Sequence, residues 1–106
     1  MTKYHFRRYR LSKNHPFLVA LVIEREENGK ILLSGFNMTR SISYVLSRPN
    51  KFIRIENPNP EDDADCYLCV DALKDKPLKY FSKPIRNWVL SEDDEKIIDE
   101  LVKEKL

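Results

Sequence analysis

The sequence has no apolar stretch long enough to cross a bilayer as a helix, which takes about 20 residues. Its longest, Phe17 to Ile23, has the length of a strand. Charges stand near the N-terminus, but no apolar signal-peptide core follows them. Nothing therefore marks the chain for a membrane or for export, and a cytoplasmic location is expected. Internal repeats and low-complexity segments are also missing. Cysteine is scarce, with only Cys66 and Cys69. Their CxxC spacing would suit half a zinc site or a redox motif at a helix start, yet a second CxxC or a His pair is lacking. Cys66-Tyr67-Leu68-Cys69-Val70 reads as a strand, which puts positions 66 and 69 on opposite faces. Both are taken as free thiols that act as small hydrophobes in a reducing compartment. The acid-rich loop Asn57 to Asp65 lacks the Gly and the terminal Glu of a calcium loop and reads as solvated. No metal or other cofactor is expected.

What is present is a chain of 106 residues, enough to bury one core and too few for two, so residues 1–106 are read as a single domain. The net charge of +2 says little, but its distribution is uneven. Lys3, Arg7, Arg8, Arg10 and Lys13 stand together without an acid, whereas Glu92, Asp93, Asp94, Glu95, Asp99, Glu100 and Glu104 crowd the C-terminal end. A basic end of this kind attracts polyanions by counterion release, and as a solvated terminus it would have no such role.

Hydrophobic patterning gives the elements. Phe17 to Ile23 is an uninterrupted run rich in β-branched residues, preceded by Pro16, and predicts a strand covered on both faces. Asn28-Gly29 is a strong hairpin signal because both central residues of a type I′ turn need positive φ. Lys30 to Phe36 is the return strand, after which Gly35 to Ser41 is expected to leave the sheet as a polar turn. Ile42 to Leu46 reads as a short strand or a helical turn. Lys51 to Glu56 alternates with period two and predicts a half-exposed strand. Cys66 to Leu73 is the next strand, and a Lys/Pro-rich connection runs to Pro84. Ser91 is a good N-cap, with carboxylates filling the first turn at the positive end of the helix dipole. Ile97, Ile98, Leu101 and Val102 form one apolar stripe. Strands first and helix last give a mainly β, α+β chain, suited to a small antiparallel barrel with a terminal helix.

In that order, His15-Pro16 opening an apolar strand, the Ser34 to Ser41 turn with Thr39, Leu68 to Leu73 with Asp71, and Leu90-Ser91-Glu92-Asp93 resemble the MazF/PemK family of small ribonuclease toxins. The resemblance covers most of residues 13 to 106. It implies an SH3-like barrel and a type II toxin–antitoxin ribonuclease that cuts single-stranded RNA without a metal. In that chemistry the substrate's 2′-hydroxyl attacks the adjacent phosphorus to leave a 2′,3′-cyclic phosphate and a 5′-hydroxyl. Such a reaction needs a group to take the 2′-proton, a group to protonate the leaving oxygen and donors for the phosphorane. The family pairs a Thr in the turn, here Thr39, with an Arg before the Pro, where this chain has His15. Histidine moves protons near neutrality but lacks the guanidinium fork that grips a phosphate. Lys13 or Arg40 would restore that charge.

The resemblance thus implies catalytic His15 and Thr39, with Lys13, Arg40, Ser41, Arg7, Arg8 and Arg10 on the RNA. The family's Arg-Gly-Asp-like opening is replaced here by Tyr4 to Arg10, where aromatics for bases and cations for phosphates alternate. Trp88 is read as packed beneath the final helix, with base stacking as the other role, and Asp71 as structural, accepting from nearby backbone donors. The partners implied are single-stranded RNA, a cognate antitoxin and a second copy of the chain. The competing reading is a non-catalytic SH3-like module that binds RNA or a protein.

Overall fold

The computed structural model describes residues 4–9 and 18–106. Asn28 and Gly29 both take positive φ, 52° and 78°, as the hairpin turn requires. They join β2 (Leu18–Glu27) to β3 (Lys30–Thr39), paired antiparallel from Glu27↔Lys30 to Val19↔Met38. The return strand runs past Phe36 to Thr39, where a polar turn was expected. Its last residues stay in the sheet because they gain a partner on the other edge, Met38↔Leu68 and Thr39↔Tyr67.

Both faces of β2 are covered. Leu21 packs with Phe36, Leu68 and Ile98, while Ala20 and Val22 pack on the opposite side with Leu33 and Tyr9. Full burial of a large apolar side chain contributes roughly 1.5–3 kcal/mol, so the β2–β3 hairpin is the centre of the fold.

β1 (His5–Tyr9) lies antiparallel to β2. On its other edge runs the segment that follows the last strand: Ser82 N donates to Arg8 O at 2.8 Å and Ile85 N to Phe6 O at 2.7 Å, with a bridge from Tyr9 to Phe81. The expected strand from Cys66 to Leu73 divides into β5 (Cys66–Cys69) and β6 (Leu73–Pro77). β5 pairs with the end of β3 and with β4 (Phe52–Ile55), and β6 pairs with the first half of β3. The result is a six-stranded antiparallel sheet in the order β1-β2-β3-β5-β4, with β6 also on β3. Because the chain after β6 returns to β1, the sheet curls toward a barrel.

Gly35 makes that curl possible. A Cβ there would stand 1.8 Å from the Leu21 carbonyl oxygen and 2.8 Å from its carbon. Only a residue without a side chain lets β3 lie this close to β2 while its other edge passes from β6 to β5.

Ile42–Leu46 is a single short helix, α1, capped by Ser41, whose hydroxyl accepts from Tyr44 N. The final helix, α2 (Glu92–Lys105), starts as expected, with Ser91 Oγ accepting from Asp94 N at 3.2 Å. Its apolar stripe is narrower than the sequence suggested. Ile98 and Leu101 are buried and Val102 half-buried, but Ile97 is 47% exposed. Asp94 belongs to the buried face rather than to the solvated acids. Its carboxylate accepts from Glu56 N at 2.7 Å and fastens the first turn of α2 to the chain leaving β4. Further along α2, Asp99 accepts from the Tyr4 hydroxyl at 2.5 Å. Among the described residues no helix is long and apolar enough to cross a membrane.

The cysteines take opposite faces of β5, Cys66 buried and Cys69 half-buried, and both are free. Burial pushes the Cys66 thiol up to about 11, which removes the thiolate needed for reaction. Two measurements check this account. Gly35→Ala should cost about 3 kcal/mol or more in urea unfolding, at the upper end of overpacking penalties. At pH 8 a thiol-specific reagent should modify Cys69 quickly and reach Cys66 only when denaturant is added.

Candidate functional site

Thr39 is the last residue of β3 and is half-buried. Its Oγ1 accepts from Ser41 N at 3.1 Å, so one acceptor position is used locally while the hydroxyl proton can be donated elsewhere. Thr39 and Arg40 border a hollow of about 390 Å³. The floor is apolar, from Val19, Met38 and Cys66, and the remaining walls come from Trp88 and from Asn57, Asn59 and Asp62 of the loop after β4.

That loop is ordered by its own polar side chains. Asn57 Oδ1 accepts from Asn59 N, Asn59 Oδ1 from Glu61 N, and Asp62 Oδ1 from Ala64 N, each at 3.0 Å. These are the local Asx bonds that such residues favour. Val89 N donates to Pro58 O at 3.2 Å, which ties the Trp88 segment to the loop. The Trp88 ring stands 5.8 Å from Phe6, tilted by 60°. Trp88 also packs against the core cluster that includes Ile98 and Leu101 of α2, as expected, and it lines the hollow.

The hollow's charges are paired. Arg40 Nη1 meets Asp62 Oδ2 at 2.5 Å, with the arginine side chain 65% exposed. The Ala64 amide and the Arg40 guanidinium hold the Asp62 carboxyl below the usual carboxylate range, so the pair is charged near neutrality. On the far side of the loop a second hollow of about 660 Å³ is lined by Arg54 and by Asp63 and Asp65, among others. Arg54 pairs there with Asp65 at 2.6 Å. Among the described residues no three His, Cys, Asp or Glu side chains are placed to share a metal ion.

Of the residues expected at an RNA site, Thr39 and Arg40 lie together. Ser41 borders them, but its hydroxyl is engaged as the cap of α1. Arg8 is exposed on β1 in register with Val19, which in turn faces Met38. A single strand spacing, roughly 5 Å, therefore separates Arg8 from Val19 in the hollow's floor. Arg7 is corrected: it is 7% exposed, pairs with Glu24 at 2.6 Å and donates to Ser82 O at 3.0 Å. The alternation of β1 turns it away from Arg8 onto the face of Tyr9, so it joins strands instead of meeting a phosphate. His15, Lys13 and Arg10 lie outside the described residues. Asp71 is exposed and pairs with Lys51 Nζ at 3.5 Å, in place of the backbone donors expected for it. Arg48 lies over the Tyr44 ring at 4.3 Å.

Sequence reasoning missed Asn57, Asn59 and Asp62, having read the loop as solvated. The alternation Asn57-Pro58-Asn59-Pro60 is a signal for Asx turns, but nothing local shows that the loop folds back on the end of β3. Compared with family models, with curated proteins and with solved structures, the chain matches none.

Proposed function

We propose that the chain is the toxin of a type II toxin–antitoxin pair, a MazF/PemK-like endoribonuclease built on an SH3-like barrel. It would cut single-stranded RNA without a metal and leave 2′,3′-cyclic phosphate and 5′-hydroxyl ends. The observation that carries this reading is the position of Thr39 and Arg40, side by side at the end of β3 on the rim of a part-polar hollow. The hydroxyl proton of Thr39 suits a non-bridging phosphate oxygen, and the guanidinium of Arg40 suits a second. His15, just ahead of β2 in sequence, supplies the imidazole to move the 2′-proton and return it to the leaving oxygen.

The same proposal places the protein in the cytoplasm as a homodimer, neutralised by an antitoxin whose acidic segment competes for the basic residues. One observation favours the second reading, a non-catalytic module: Arg40 is neutralised by Asp62 and Arg7 by Glu24, leaving fewer cations for RNA than the sequence suggested.

Incubation of the purified protein with a long single-stranded RNA in EDTA separates the two. Discrete fragments with cyclic-phosphate ends are expected, and binding without cleavage would leave the module reading. Thr39→Ala should lower the cleavage rate about 10²–10³-fold, the usual cost of one transition-state donor, while Thr39→Ser keeps most of it. His15→Ala should lower it roughly 10²–10⁴-fold. Unchanged rates in either alanine variant would refute the role given to that residue.

A further inference from the structure

We propose that the hollow beside Thr39 holds one unstacked nucleotide of single-stranded RNA, its base against Trp88 and its phosphate replacing Asp62 on Arg40. The inference rests on the RNA reading above and deepens it by naming where a base sits and what it displaces.

Size and surface both fit such a ligand. At about 390 Å³ the hollow lies within the roughly 300–1,000 Å³ of small-molecule sites. An apolar floor, an indole wall and a rim of amides and one ion pair match a flat heteroaromatic ring attached to an anion. Every base has a π-face to lay on an aromatic ring, so the stacking term is available whatever the base. Trp88 is held for that purpose from two sides. Phe6 supports its ring, and the bond from Val89 N to Pro58 O fixes the backbone after it. Asn87, immediately before it, takes positive φ at 67°, a conformation that asparagine tolerates better than most residues.

The ion pair supplies the second half. Arg40 is largely exposed, and only Nη1 is engaged by Asp62, so the remaining N–H groups of its fork are open to an incoming phosphate. An exposed pair of this kind is weak, contributing about 0–1 kcal/mol in general, and exchange of one anion for another is easily driven. Asp62 itself stays in place when released, because Ala64 N still donates to its other oxygen. Asp62 therefore opposes RNA binding: it occupies the cation that the phosphate needs.

Trp88 is the chain's sole tryptophan, so intrinsic fluorescence reports from the site without a label. The full-length protein is titrated with a six-nucleotide RNA made uncleavable by 2′-O-methylation, following tryptophan emission and, separately, the anisotropy of a dye on the RNA. Expected are saturable quenching of Trp88 and a binding curve that agrees with the anisotropy. Asp62→Asn should tighten binding about tenfold and steepen its salt dependence, whereas Arg40→Ala should weaken binding, flatten the salt dependence and abolish the gain from Asp62→Asn in the double variant. Trp88→Ala should weaken the anisotropy-detected affinity roughly 5- to 100-fold, the range for loss of one stacked base.

Binding by anisotropy with unchanged Trp88 emission would overturn the base site and leave the RNA reading standing. Quenching with no gain from Asp62→Asn would overturn the phosphate exchange. No binding by the wild type or by Asp62→Asn would remove both this inference and the reading beneath it. The Asp62 variant keeps the test decisive if Trp88→Ala fails to fold, since Asp62 lies on the surface loop.

Discussion

The fold depends on one close approach, that of β3 to its neighbour β2 at Gly35. With no side chain at that point the backbones come within a distance that any Cβ would forbid. The strand can then coil sharply enough to serve two partners along one edge, β6 as far as Gly35 and β5 after it. Two apolar clusters result, one on each face of the hairpin, joined by residues 20 to 22. The hollow at Thr39 lies at the end of β3 that pairs with β5 rather than with β6.

Much of this was readable because it is local. The Asn28-Gly29 turn, the covered strand within the Phe17 to Ile23 run, the Ser91 cap and the opposed faces of Cys66 and Cys69 all follow from short-range sterics or from periodicity. The errors share one cause, which is long-range pairing. Whether β3 stops at Phe36 or Thr39 depends on Leu68 and Tyr67, some 30 residues away in sequence. Arg7 looks like its neighbours until Glu24 and Ser82 are brought beside it. Ile97 belongs to the helix stripe by spacing but is left exposed, and Asp94, an acid among acids, is drawn inward by the amide of Glu56. Of the hollow's lining, the resemblance singled out Thr39 and the charge beside it pointed to Arg40, while the walls contributed by the 57–62 loop and Trp88 were not legible.

Electrostatically the hollow differs from a simple basic groove. Its cation and its anion neutralise each other in the described structure, and a second acidic face lies just behind the loop. Under the proposed reading, a polyanion approaching such a surface would gain little from general attraction, and its affinity would come from contact: a ring on a ring, a hydroxyl on a phosphate, a guanidinium changing partners. Recognition built this way would depend on local shape more than on charge density and would be less sensitive to salt than a bare cluster of lysines.

The return of the chain from Phe81 to Ile85 onto β1, together with the Tyr4–Asp99 bond, joins positions almost a full chain length apart. During synthesis, which proceeds from the N-terminus, β1 has one edge unpaired until residues 81 to 85 have emerged. The hairpin can form early, but the wall holding Trp88 cannot, because residues 88 and 89 are translated well after Thr39 and Arg40. A nascent chain still on the ribosome therefore carries Thr39 and Arg40 without the surface that faces them. The topology itself delays completion of the hollow until the segment through Val89 has been translated.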